Sequence, residues 1–132
     1  MTRVGLVGYG SSGAGFHAPL LREAGLDLVA VVSGNADRAA QARAENPGVV
    51  VVADVAALVA VADLDVVVVA SPSGNHVEHA ETLIEAGVAV VVDKPIATNA
   101  HHAQRLVDLA AGRGVPLTVF QNRRYDPEFA TI

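Results

Sequence analysis

Arg3-Val4-Gly5-Leu6-Val7-Gly8-Tyr9-Gly10-Ser11-Ser12-Gly13 decides how the rest of the chain is read. A short apolar run ends on a glycine, and three glycines then recur with the spacing G-x-G-x-x-G. The run predicts a strand over Arg3–Val7. Beyond the glycines, Phe16, Leu20 and Leu21 recur at helical spacing, and Gly25 marks a helix end, so Ala14–Ala24 reads as a helix. Leu26–Val32 reads as the next strand. Strand, glycine turn, helix and strand in succession form a parallel unit with a right-handed crossover.

The same alternation continues. Asn35 is placed to cap a helix that runs to Glu45 and stops before Pro47-Gly48. Val49–Val52 is a third strand, and Asp54 can cap a short helix to about Ala62. Asp65–Ala70, Val88–Val92 and Leu117–Phe120 read as strands, with helices over Pro72–Ala86 and Thr98–Gly112. Leu106, Leu109 and Ala110 share one side of the last helix. Such alternation predicts an α/β doubly wound parallel sheet, a Rossmann fold, in a single domain. Sheets of this kind take ligands at the carboxyl ends of their strands.

Composition agrees with that class. The chain has 132 residues, 52% hydrophobic and only 4% aromatic, with valine suited to strands buried on both faces and alanine to close-packed helices. Net charge is −5 with no basic tract, which argues against nucleic acid and anionic membranes as partners. Cysteine is absent, excluding disulfides, thiol catalysis and cysteine metal sites, and suiting the cytoplasm. The valine runs have strand length rather than membrane-spanning length. Glycines interrupt the N-terminus, so no signal peptide is expected.

The glycine loop carries the first chemistry. Gly8 permits the tight turn, Gly10 lets the backbone approach a pyrophosphate, and Gly13 lets the helix pack close to the strand. Amides at the helix start, those of Tyr9, Ser11 and Ser12 among the loop, would then face the phosphates, aided by the helix dipole. The alternative is a merely tight turn. A dinucleotide site that selects NAD places an acid about 20 residues past the loop, on the ribose 2′-hydroxyl. That place falls in Val31-Val32-Ser33-Gly34-Asn35, where no acid stands. Ser33, the amides of Gly34 and Asn35, and Arg38 could receive a 2′-phosphate instead. NADP is therefore the expected cofactor, with NAD possible if Arg38 is only a solvated helix residue.

Other candidates follow the later strands. Lys94 is the chain's only lysine against eight arginines. An amine can shift its pKa and exchange protons, which a guanidinium does not do. After the fifth strand it could bind a substrate hydroxyl and steady an alkoxide, with Asp93 orienting it. The plainer reading is a surface Asp–Lys pair before Pro95. Ser71-Pro72-Ser73-Gly74-Asn75-His76 forms a turn at the cleft and could line a cofactor. His76 and His79 share a helix face, but further ligands for a metal are not evident, so no metal is expected. His17 reads as a packing or capping residue, and His101-His102 as solvated helix surface.

At these residues the chain resembles the family of glucose–fructose oxidoreductase and inositol dehydrogenase (Gfo/Idh/MocA). Gly8–Gly13 through Phe16-His17-Ala18-Pro19 is similar to the family's phosphate loop and first helix. Ser71–His76 is similar to its post-strand turn, and Asp93-Lys94-Pro95 to its usual Glu-Lys-Pro, with Asp in place of Glu. Asn122-Arg123-Arg124-Tyr125-Asp126 resembles the domain-junction segment of a subgroup near NADP-dependent scyllo-inositol dehydrogenases. Ser33-Gly34-Asn35-Ala36 resembles the matching segment of glucose–fructose oxidoreductase, which uses NADP. The resemblance implies hydride transfer between NADP and a hydroxyl or carbonyl carbon of a sugar or cyclitol. It implies that Lys94 is the catalytic-site lysine, that Ser71, Pro72, Ser73 and His76 line the cofactor cleft, and that Gln121 and Asn122 lie near the nicotinamide. It also implies residues 1–120 as the NAD(P)-binding domain and 121–132 as the junction to a second α/β domain. That domain would carry the substrate pocket and usually the oligomer interface, making a homo-oligomer a further expectation. The chain ends at Ile132, so it resembles a fragment of a longer enzyme, expected to bind dinucleotide but to turn over poorly alone. A stand-alone nucleotide-binding or sensor module without catalysis is the competing reading.

Overall fold

The structure is a computed structural model that describes residues 2–10, 13–61, 63–71, 75–93 and 100–120, with the backbone alone at 16, 61 and 120. Six strands form one sheet: β1 (Arg3–Val7), β2 (Asp27–Val32), β3 (Val50–Val52), β4 (Val66–Val69), β5 (Ala89–Asp93) and β6 (Leu117–Phe120). Their order is β3-β2-β1-β4-β5-β6, and every pairing is parallel. The chain winds outward from β1 in one direction and then, after β3, returns to β4 and winds in the other. The reversal lies between β1 and β4, where two neighbouring strands send their crossovers to opposite sides and a crevice opens. The expected doubly wound sheet is thus the observed one.

The valine runs are explained by burial on both faces. Val67 and Val69 of β4 pack with Leu58 of α3 (Val55–Val61), Leu83 and Ile84 of α4 (His76–Glu85), and Leu106 of α5 (Ala100–Arg113). Val68 points the other way and packs with Val4, Leu6 and Val31, and with Ala18 of α1 (Ala18–Glu23) and Ala42 of α2 (Ala36–Glu45). Side chains alternate across a strand, so a strand covered on both faces must be apolar at every position. Small alanines at the α1 and α2 contacts let those helices lie close to the sheet. At the β5–β6 side, Val91 is only partly buried and Thr118 is exposed.

One expected element begins differently. In place of one helix over Ala14–Ala24, a π-type turn spans Gly13–His17 and α1 follows. Pro19 sits in the first turn of α1 and has no N–H to give to the carbonyl of Gly15, so a regular ladder cannot run through this stretch. Of the helix expected over Pro72–Ala86, His76–Glu85 is observed, and residues 72–74 lie outside the described residues. The caps at Asn35 and Asp54 are as expected: Asn35 Oδ1 accepts from the Arg38 N–H at 3.0 Å, and Asp54 Oδ1 from the Ala57 N–H at 2.7 Å. Helices α1, α2, α4 and α5 return to the sheet through Gly25, Gly48, Gly87 and Gly114, all at positive φ. Among the described residues no helix is long and apolar enough to cross a membrane.

Candidate functional site

The carboxyl ends of β1, β2, β3 and β4 meet around a cleft of about 250 Å³. Gly8 and Tyr9 supply one wall, and Ser33, Gly34, Asn35 and Arg38 the next. Ala53 and Asp54 close the β3 side, and Ser71 and His79 the β4 side. The cleft therefore sits at the reversal of strand order, where the fold predicts it.

Gly8 turns the chain out of β1 at φ 96°, and a Cβ there would lie 3.1 Å from the backbone of Ala70 and Ser71. The angle disfavours any side chain, and a Cβ would need that backbone to give by a few tenths of an ångström. A Cβ on Gly13 would lie 2.2 Å from the carbonyl oxygen of Gly8. The start of the helical segment is thus pressed against the end of β1, as expected from the third glycine of the motif. Gly10 is covered by the Arg38 guanidinium, whose carbon lies 3.6 Å from where a Cβ would be. The Gly8 amide is not available to a ligand, because it donates to the Val32 carbonyl at 2.9 Å and continues the sheet.

Tyr9 has a structural duty. The residue as a whole is only 1% exposed, with its ring turned into the core. Its hydroxyl donates to Glu45 Oε1 at 2.6 Å and accepts from Asn46 Nδ2 at 3.0 Å, and Arg22 donates to Asn46 Oδ1 at 2.7 Å. One network thus joins the loop to α1 and to the end of α2. Burial, and then the Glu45 carboxylate, push the Tyr9 hydroxyl above its usual pKa. The hydroxyl in turn holds the Glu45 carboxyl below the usual carboxylate range.

At the end of β2, Ser33 Oγ accepts from the Asn35 N–H at 3.3 Å. Arg38 is exposed, and its guanidinium has no ion-pair partner among the described residues. The stretch Val31–Asn35 at the β2 end carries no carboxylate, and the acid next to Arg38 in sequence is Asp37, in the first turn of α2. The one acid lining the cleft is Asp54, with Oδ1 committed to capping α3.

At the end of β4, Ser71 is held twice by α4. His76 Nε2–H donates to the Ser71 carbonyl at 2.7 Å, and His79 Nδ1 lies 2.8 Å from Ser71 Oγ. The two histidines that share a helix face are thus spent on one serine. Among the described residues no group of three metal-binding side chains gathers. Burial lowers the pKa of His79. At the end of β5, Asp93 Oδ2 lies 3.4 Å from Nε2 of His17, a buried side chain of the π-type turn that makes no helix-capping bond. Ser11, Ser12, Pro72, Ser73, Lys94, Gln121 and Asn122 lie outside the described residues.

The structure therefore gathers Gly8, Tyr9, Ser33, Gly34, Asn35, Arg38 and Ser71 at one cleft, with Gly10 beneath Arg38. His76 stands behind Ser71, and Asp93 lies one strand further along. Sequence reasoning did not place Ala53, Asp54 or His79 at the cleft. Their signal was position: Ala53 and Asp54 follow β3, and His79 lies one helical turn beyond His76.

Comparison with known proteins identifies the family. Residues 2–121 match the family model GFO_IDH_MocA, described as an oxidoreductase family with an NAD-binding Rossmann fold. Over 130 residues the chain is 36% identical to scyllo-inositol 2-dehydrogenase (NADP(+)) IolW of Bacillus subtilis, covering 98% of this chain and 36% of that protein. It is 38% identical to the uncharacterized oxidoreductase YdgJ of Escherichia coli, covering 98% and 37% respectively. The WlbA dehydrogenase of Bordetella pertussis, solved with NADH and UDP-GlcNAcA, superposes with a TM-score of 0.87 at 29% identity, covering 98% of this chain and 39% of that one. The chain thus spans well under half the length of the proteins it matches. It belongs to the Gfo/Idh/MocA oxidoreductase family, of which it forms the NAD-binding Rossmann domain.

Proposed function

We propose that this chain is the cofactor-binding part of an NADP(H)-dependent oxidoreductase that acts on a CH–OH or C=O carbon of a sugar or cyclitol in the cytoplasm. The observation that carries the cofactor choice is Arg38. It is an exposed guanidinium at the mouth of the cleft, without an ion-pair partner among the described residues and without an acid at the end of β2. A carboxylate at that place binds a ribose 2′-hydroxyl and repels a 2′-phosphate, and an arginine does the opposite. The NADP(+) in the name of IolW points the same way.

The cleft fits a dinucleotide. The backbone at Gly8 and Gly13 comes so close to its neighbours that no side chain obstructs the loop. When bound, the nicotinamide supplies the site that accepts or gives the hydride. In this reading Arg38 and Ser33 hold the 2′-phosphate, and Gly8–Gly13 receive the pyrophosphate. Ser71 faces the ribose side of the cleft, backed by His76, with Pro72 and Ser73 following it. Lys94, next to Asp93, binds the reacting hydroxyl of the substrate, and Gln121 and Asn122 complete the nicotinamide end. Residues 1–120 form the domain, and 121–132 lead towards a second domain that shapes the substrate pocket. The much greater length of the relatives supports that division.

Calorimetric titration of the purified chain with NADPH and NADH tests the cofactor assignment. NADPH should bind more tightly. Arg38→Ala should weaken NADPH by roughly ten- to a hundredfold, the worth of a charge-assisted hydrogen bond, and leave NADH nearly unchanged. Tighter NADH overturns the NADP assignment, and failure of a folded chain to bind either overturns the assignment of the cleft.

A further inference from the structure

Ser71 is gripped from two sides by one helix. Its carbonyl receives the His76 Nε2–H at 2.7 Å, and its hydroxyl oxygen lies 2.8 Å from His79 Nδ1. His76 is buried at 2% exposure, whereas His79 is half-buried and reaches the cleft wall beside Ser71. A lone serine hydroxyl rotates and offers a ligand either its hydrogen or its lone pairs. A fixed neighbour removes that choice, and a preorganised contact costs less to use on binding.

We propose that His79 is a positioning residue of the dinucleotide cleft, taking the Ser71 hydroxyl hydrogen at Nδ1 so that Ser71 Oγ faces the ligand as an acceptor for a ribose hydroxyl. The inference rests on the cofactor reading above and adds the residue that sets the polarity of one of its contacts. His79 can do this only as a neutral ring with a bare Nδ1. Burial favours the neutral form, and His76 on the same helix acts in the same direction, while Glu78 opposes it. Across the cleft stand Asp54 from the β3 side and Arg38 from α2, charges of opposite sign. His76 plays the complementary part. As donor to a carbonyl it fixes the serine's main chain, leaving the hydroxyl as the group His79 alone sets.

The test is a double-mutant cycle read by NADPH affinity in the full chain. His79→Leu should weaken NADPH about tenfold, the upper worth of one neutral hydrogen bond. His79→Asn, whose amide oxygen reaches close to the place of Nδ1, should restore most of the loss. In a Ser71→Ala background His79→Leu should cost nothing further, because it acts through that serine. Unchanged affinity in His79→Leu overturns the proposal, and so does an equal loss in the two backgrounds. Should His79→Leu fail to fold, His79→Asn and His79→Gln carry the comparison. Asn near wild type with Gln weakened supports the proposal, and the reverse order overturns it. A folded wild-type chain that binds no NADPH overturns the cofactor reading itself, and the inference with it.

Discussion

At the scale of the residue, the decisive distances are those that forbid a side chain. Gly13 is 2.2 Å, at its would-be Cβ, from the carbonyl oxygen of Gly8. That oxygen belongs to backbone and cannot swing aside, so Gly13→Ala must push the π-type turn away from the end of β1. The expected cost is about 1–3 kcal/mol of stability, as for overpacking elsewhere, together with loss of most NADPH affinity. Urea unfolding and calorimetry on the same sample check both parts. Gly15→Ala is the control, because nothing lies within 4 Å of its would-be Cβ. The role of Gly13 was legible in the sequence, since the G-x-G-x-x-G spacing has a stated physical reason for each glycine. The use made of Tyr9 was not. The residue stands inside the loop, and nothing local says that its ring turns inward to Glu45 and Asn46, 36 and 37 residues away in sequence.

At the scale of the element, what needs explaining is how a short loop stays in register with two helices. The Tyr9–Glu45–Asn46–Arg22 network ties the end of β1 to the ends of α1 and α2. Tyr9→Phe removes one hydroxyl from it. Asn46 Nδ2 keeps a bond to the Ala42 carbonyl at 3.0 Å, and the exposed Glu45 turns to water, so the expected cost is only about 1 kcal/mol. The pH dependence is more telling. The Tyr9 pKa is raised in the folded chain, so its contribution is complete below about pH 10, where the unfolded tyrosine ionises. Above that the unfolded state loses its proton first, and stability falls as pH rises through the folded value. Thermal melts at increasing alkaline pH should show a steeper decline in wild type than in Tyr9→Phe. Helix starts were well read where a side chain announces them, at Asn35 and Asp54, because a cap is a local event. The π-type turn was misread as a regular helix because the apolar spacing of Phe16, Leu20 and Leu21 continues across Pro19 and hides the missing amide.

At the scale of the molecule, the sheet and the cleft are one design. The strand reversal between β1 and β4 opens the crevice, and the polar residues after those strands and their neighbours line it. A ligand that binds only the folded chain stabilises it by mass action, so NADPH at a hundred times its Kd should add about 2.7 kcal/mol and raise Tm by several degrees. NADH at the same concentration should raise it less. Fold class was legible because alternation and glycine punctuation are periodic signals. The cleft's membership was only partly legible. Ser33 and Ser71 are strand-end residues in the chain's own order, whereas the approach of His79 depends on how α4 packs. The opposite rim is built otherwise. The returns at Gly25, Gly48, Gly87 and Gly114 lie at the amino ends of the strands, and a Cβ added to any of them would meet nothing within 4 Å. Because the chain has no cysteine, a thiol placed beside one of these returns, such as Ala86→Cys at an exposed site, would be its only thiol. A dye or a surface could then be attached there, leaving the whole nucleotide-facing end turned to solution.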